Sequence, residues 1–185
     1  MNAKFLAALA CMAALAACGG GSSAPTSTTS TTPPSNPTPP STPAGPGTDV
    51  VTYKNDVSRS GLNATETTLT TANVNSSSFG LLRSLPVDGK VDAQPLYLSQ
   101  LSIAGGTHNV VYAATEHGSV YAFDANSGSV LWKVSILKSG ETTSGALGCN
   151  QVVPEIGVTS TPVIDRSAGA HGTMFIVTMS LDASS

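Results

Sequence analysis

The sequence predicts an all-β fold, built from antiparallel strands and carried by the C-terminal part of the chain. Three observations predict it. From residue 92 onward, apolar residues fall into short runs rich in Val, Tyr, Phe and Thr, each closed by Gly, Asn or Ser; this is how strands joined by tight turns read. Beyond residue 48 no stretch shows a convincing 3.6-residue period. Finally, two strand-like segments recur further along the chain at spacings of 67 and 63 residues.

Composition sets the boundaries. Of 185 residues, 8 are basic and 11 acidic, a formal charge of −3. That balance lacks the clustered Lys and Arg that phosphate binding needs, so no nucleic-acid partner is expected. No 20-residue apolar span lies beyond the N-terminus, which excludes a polytopic membrane protein. Eight of the twelve prolines fall between Pro25 and Pro46, and residues 19–48 carry no charge. About 137 residues, 49–185, are left to fold.

Residues 1–18 have the three parts of an export signal. Lys4 supplies the positive start, Phe5 to Leu15 an unbroken run of small or apolar residues, and Leu15-Ala16-Ala17-Cys18 a small-residue end. The tetrapeptide resembles the lipobox of bacterial lipoproteins. That resemblance implies cleavage before Cys18, diacylation of its thiol, and attachment to the cell envelope. Gly19, where an Asp would signal retention, points to the outer membrane. Acyl chains contribute about 0.8 kcal/mol per buried methylene, so two or three anchor firmly. Cys11 would leave with the signal, so that Cys149 is the other cysteine of the mature chain.

Residues 19–48 are Gly, Ser, Thr, Pro, Ala and one Asn. Such a segment cannot bury enough apolar surface to offset chain entropy and is expected to be a disordered tether, about 30 Å end to end as a flexible coil.

Within the folded part, four strands are expected: residues 92–98, 109–115, 119–125 and 130–136. Tight turns at Glu116-His117-Gly118 and Asn126-Ser127-Gly128 join the last three. The Glu116-His117 pair reads as a solvated hairpin tip. Consecutive hairpins make one four-stranded meander, the unit of propeller blades. Ser160-Thr161-Pro162-Val163-Ile164 echoes Ala93-Gln94-Pro95-Leu96-Tyr97, and Met174 to Thr178 echoes Val111 to Thr115. A second copy therefore offers its first two strands.

Ala122, Asp124, Ser127, Gly128 and Trp132 fit Ala-x-Asp-x-x-Ser/Thr-Gly-x-x-x-Trp. Gly128 can take the positive φ of a tight turn, Asp124 can accept turn amides, and Trp132 presents a flat face for stacking. Asp124-x-Asn126-x-Gly128 opens like a calcium loop, but its twelfth position is Ser135 instead of Glu.

The Ala-to-Trp pattern resembles the tryptophan-docking motif of the quinoprotein propellers, the eight-bladed family that includes quinone-dependent alcohol dehydrogenases. Tyr53-x-Asn55-Asp56, Arg59, Gly61, Asn63 and Leu69-Thr70-x-Ala72-Asn73-Val74 resemble its opening segment, and Phe79 to Val87 its ring-closing strand. The resemblance covers residues 51–179. It implies an incomplete PQQ-like β-propeller of about one and a half blades, with several strand edges open. From that follow an expected marginal stability, self-association, or dependence on a second chain that completes the ring.

The same resemblance locates the quinone site, and the residues there do not suit one. Asp92 stands where the family has Glu. Cys149-Asn150 replaces an adjacent cysteine pair, and Glu155 replaces an Arg that would neutralise quinone carboxylates. No cofactor, no metal and no catalytic residue are therefore expected. His108, His117 and His171 lack metal-ligand spacing, and Cys149 has no base near it in sequence. The expected function is a non-catalytic binding or scaffolding surface on a membrane-anchored lipoprotein. The alternatives are the N-terminal part of a quinoprotein oxidoreductase and an outer-membrane assembly propeller.

The lipobox resemblance carries the first prediction. Cells fed an alkyne fatty acid should label the wild-type chain and leave Cys18→Ala unlabelled; equal label in both would refute acylation at Cys18.

Overall fold

The computed structural model describes residues 49–145, 148 and 150–182, which belong to one structural unit. Residues 1–48, where a signal and a tether are expected, with Cys18, and Cys149 lie outside the described residues. Every regular element described is a strand, and every strand pair is antiparallel.

Four strands form one meander in chain order: β1 (Leu96–Ile103), β2 (Gly106–Ala114), β3 (Ser119–Asp124) and β4 (Val130–Ser135). β5 (Glu141–Gly145) is flanked by β6 (Glu155–Ile156) and β9 (Ser180–Asp182), while β7 (Val163–Asp165) pairs with β8 (Thr173–Phe175). No sheet among the described residues closes into a barrel or a ring.

β3 is the spine, buried along its whole length. Its alternating side chains serve two faces. Tyr121 and Phe123 stack on one, with centroids 5.5 Å apart. Val120 and Ala122 serve the other, where the core forms. Leu96, Leu98, Val110, Tyr112, Ala122 and Ile164 make one buried cluster, and Ala93, Ala114, Val120 and Val158 a second. Trp132 and Met174 pack against both. Ala122 is the register partner of Tyr112 on one side and Trp132 on the other. Its small side chain leaves room for the two rings to meet at 5.8 Å.

The first strand starts later than its apolar pattern suggests, at residue 96 rather than 92. Pro95 has no amide for a ladder, and the Gln94 amide donates instead to Thr161 Oγ1 (2.9 Å). β1 then runs on to Ile103 through a bulge between Leu98 and Leu101. Gln100 takes φ +53° there, and its amide donates to the carbonyl of the buried Asn109 side chain (3.0 Å). Ala104 and Gly105, both at positive φ, make the tight turn into β2.

Phe79 to Val87 is the segment expected as a ring-closing strand whose partner blade is absent. It joins no ladder among the described residues. Half-buried Arg83, Leu85, Val87 and Gly89 alternate with exposed neighbours, so period two is satisfied by lying against the protein. Arg83 and Leu85 reach Gly128, and the Asp88 amide donates to the Tyr121 hydroxyl (3.1 Å). Pro86 breaks any continuous ladder there.

The internal repeat is present in the register. Carried forward by 67 and 63 residues, the β1–β2 pairs Leu96↔Tyr112, Tyr97↔Val111 and Leu98↔Val110 become Val163↔Phe175, Ile164↔Met174 and Asp165↔Thr173. Those are the β7–β8 pairs observed. Residues 50 and 51 join the two copies. Val50 exchanges backbone hydrogen bonds with Tyr97 (2.8 and 3.0 Å), and Val51 accepts one from the Ile164 amide (2.8 Å).

The Glu116 turn fastens the second part of the chain to the first. Gly157 donates its amide to Glu116 Oε2 (2.7 Å), Thr159 its hydroxyl (3.1 Å), and Val158 its amide to the Thr115 carbonyl (3.2 Å). A Cβ on Gly157 would fall 2.2 Å from the Glu116 carbonyl oxygen. Gly157→Ala should therefore destabilise by about 3 kcal/mol, since backbone must move. Gly145→Ala, with open space around it, is the control. Urea unfolding midpoints that match in the two variants would contradict this packing.

Candidate functional site

The turn between β3 and β4 is closed by several hydrogen bonds to one aspartate. Asp124 Oδ1 accepts from the Asn126 amide (3.0 Å), the Ser127 amide (2.6 Å) and the Ser127 hydroxyl (2.9 Å). Oδ2 faces His108 Nδ1 at 2.6 Å. Gly128 sits at φ +80°, its amide donating to the Asp124 carbonyl (2.7 Å). Burial works to raise the Asp124 carboxyl. The bonds from the Ser127 amide, His108, the Ser127 hydroxyl and the Asn126 amide outweigh it and hold the group at about 2.

With both oxygens so engaged, Asp124 is a turn anchor. Among the described residues no three His, Cys, Asp or Glu side chains converge as metal ligands. His108 was expected only as a histidine without metal spacing, and its bond to Asp124 joins β2 to the turn. Trp132 packs half-buried between Tyr112 and the β7–β8 hairpin. The motif residues Ala122, Asp124, Ser127, Gly128 and Trp132 thus meet in one hairpin whose ring faces the second copy.

A second anchor went unseen in the sequence. Asp88 accepts from Thr115 Oγ1 (3.0 Å), Ser119 Oγ (2.6 Å) and Lys133 Nζ (2.9 Å). Against the opposing effect of burial, the Ser119, Lys133 and Thr115 bonds hold its carboxyl at about 2. Lys133 also lies 5.1 Å from the Tyr121 ring centroid. Val87-Asp88-Gly89 reads locally as a turn, and all three partners of Asp88 lie far along the chain.

The Glu116-His117 tip is corrected in one half. His117 is exposed, but Glu116 is fully buried, with Oε1 lacking a hydrogen-bond partner among the described residues. Its covering segment, 157–159, comes some forty residues later, beyond the reach of any local pattern.

The residues at the place where the resemblance would put a quinone are separately engaged. Asp92 pairs with Lys90 (2.9 Å). Glu155 faces His117 Nδ1 (3.0 Å) and accepts from the Thr143 hydroxyl (2.6 Å). Asn150 is exposed. A shallow polar hollow lies between Tyr53, Arg59, Asp92 and residues 159–161.

A more enclosed cavity of about 470 Å³ lies between the first sheet and the β7–β8 hairpin. Its walls include Leu98, Leu101, Tyr112, Trp132, Ile164 and Met174. This is the size of a small-molecule pocket. Comparison with family models, curated proteins and solved structures finds no match for this chain.

The two aspartate anchors set an acid dependence. Both folded values, about 2, lie below the ordinary 3.8. The unfolded chain therefore takes up protons first, and the stabilisation present above about pH 4 is lost as pH falls toward 2. The urea midpoint should drop across that window, and the drop should shrink in the Asp88→Asn, Asp124→Asn double variant. An equally steep acid limb in that variant would remove the assignment.

Proposed function

We propose that this protein is a lipid-anchored envelope protein whose folded part is the opening region of a quinoprotein-like propeller, serving as a non-catalytic binding or scaffolding surface. One observation carries the reading: the two copies share a register but not a burial pattern. In the first copy Leu96 and Tyr112 are buried, with Trp132 and Met174 packed against them. At the equivalent places in the second copy, Val163 is 40% and Phe175 56% exposed. Val177 and Met179, further along the second copy, are exposed as well.

Each copy thus has a face that another unit can cover, as stacked repeats require. An exposed apolar face of this kind marks an interaction site. The partner proposed is a protein offering a hairpin of the same repeat class, its small and branched side chains seated on Val163 and Phe175. The engagement of Asp92 by Lys90 and of Glu155 by His117 and Thr143 supports a role other than quinone chemistry.

Sedimentation of the full chain tests the surface. With Cys18→Ala in both, so that no acyl chain drives association, the chain should associate through a second copy as concentration rises, and Phe175→Lys should stay monomeric. Calorimetry with pyrroloquinoline quinone and calcium should give no binding heat. A monomeric Cys18→Ala chain that binds the quinone tightly would overturn both halves of the proposal.

A further inference from the structure

The cavity between the first sheet and the β7–β8 hairpin is built differently from the surface around it. Leu98, Leu101, Tyr112, Trp132, Ile164 and Met174 give it apolar walls, while Arg166 and His171 stand on its lining. Among the described residues no carboxylate is on its lining, Asp49 standing behind Arg166, although acids outnumber bases in the chain. An apolar chamber with cationic and hydrogen-bonding groups at one side complements an anion with an apolar body.

Its geometry is held from behind. Asp49 Oδ1 accepts from the Ser99 amide and hydroxyl, both at 2.8 Å, while Oδ2 pairs with Arg166 Nη1. One carboxylate therefore fixes both the bulge of β1 and the cation. The bulge contains Gln100 at φ +53°, a conformation uncommon for a residue with a side chain. It shifts the register just before Leu101, and bulges commonly re-aim a side chain beside a site. Arg166 uses Nη1 toward Asp49, and a guanidinium carries N–H groups on two further nitrogens.

We propose that this cavity binds a small amphipathic monoanion, a carboxylate on an apolar body, with the body against Tyr112 and Trp132 and the carboxylate at Arg166 and His171. This site is separate from the Val163–Phe175 face and does not depend on the chain being a scaffold.

Trp132 is the chain's single tryptophan, so its emission reports occupancy directly. The test uses the full chain carrying Cys18→Ala, so that no acyl anchor competes, titrated with decanoate, decanol and decyltrimethylammonium. Decanoate should shift Trp132 emission saturably, decanol should bind about tenfold more weakly for want of the charged hydrogen bond, and the cation should not bind. Arg166→Gln should lower decanoate affinity about tenfold and leave decanol unchanged. His171→Glu, at an exposed position, should also weaken decanoate selectively, by repulsion. Leu101→Phe should weaken decanoate and decanol alike by filling the chamber. An absent or unsaturable shift, equal binding of the cation, or decanoate affinity untouched by both Arg166→Gln and His171→Glu would overturn the proposal.

Discussion

The fold turns on a buried carboxylate. Glu116 lies at the β2–β3 turn, and its Oε2 is satisfied by an amide and a hydroxyl from residues 157 and 159. Leaving a buried polar group without its partners costs about 1–3 kcal/mol, so the turn and the later segment hold each other in place. Val158, fully buried, enters the second core cluster beside this joint. From there the chain reaches Thr161, which bonds Gln94, and then β7, whose Ile164 completes the first cluster. The cavity between the first sheet and the β7–β8 hairpin, and the pairing of the two copies, depend on that contact.

The molecule uses its few acids as cross-links. Only 10% of the chain is charged, too little for a surface laced with ion pairs. Asp49 joins the β1 bulge to Arg166, Asp88 joins the 83–90 segment to β3 and β4, and Asp124 closes a turn while holding His108. Glu155 ties the β2–β3 turn to Thr143 on β5. Each carboxylate accepts several donors at once, which lets a short strand meet its neighbours without long apolar runs.

The parts legible in the sequence were those governed by local rules. β3 and β4 lie within a residue or so of their expected bounds, because alternating apolar residues and a Gly turn delimit them. The repeat was visible because both copies keep Pro followed by an apolar pair, and the register shows why that spacing matters. β1 starts late because Pro95 offers no amide, and its run to Ile103 is hidden because the bulge at Gln100 interrupts the alternation that reveals strands. β5, with the sequence Glu-Thr-Thr-Ser-Gly, has no apolar signal at all; it is a strand because β6 and β9 flank it. The Asp124 turn is legible from five motif residues between positions 122 and 132. Asp88, Glu116 and the cavity depend on partners dozens of residues away, and no local pattern encodes those.

The junction at Asp49 and Val50 has a mechanical consequence. A pull on the chain ahead of Asp49 arrives first at the Arg166 ion pair and the two Ser99 bonds, then at the paired Val50–Tyr97 bridge. These are the same bonds that fix the β1 bulge and the cation beside the cavity. Load applied from the N-terminal side is thus borne at the rim of the cavity before it reaches the core, so tension and the shape of that chamber are coupled by a single aspartate.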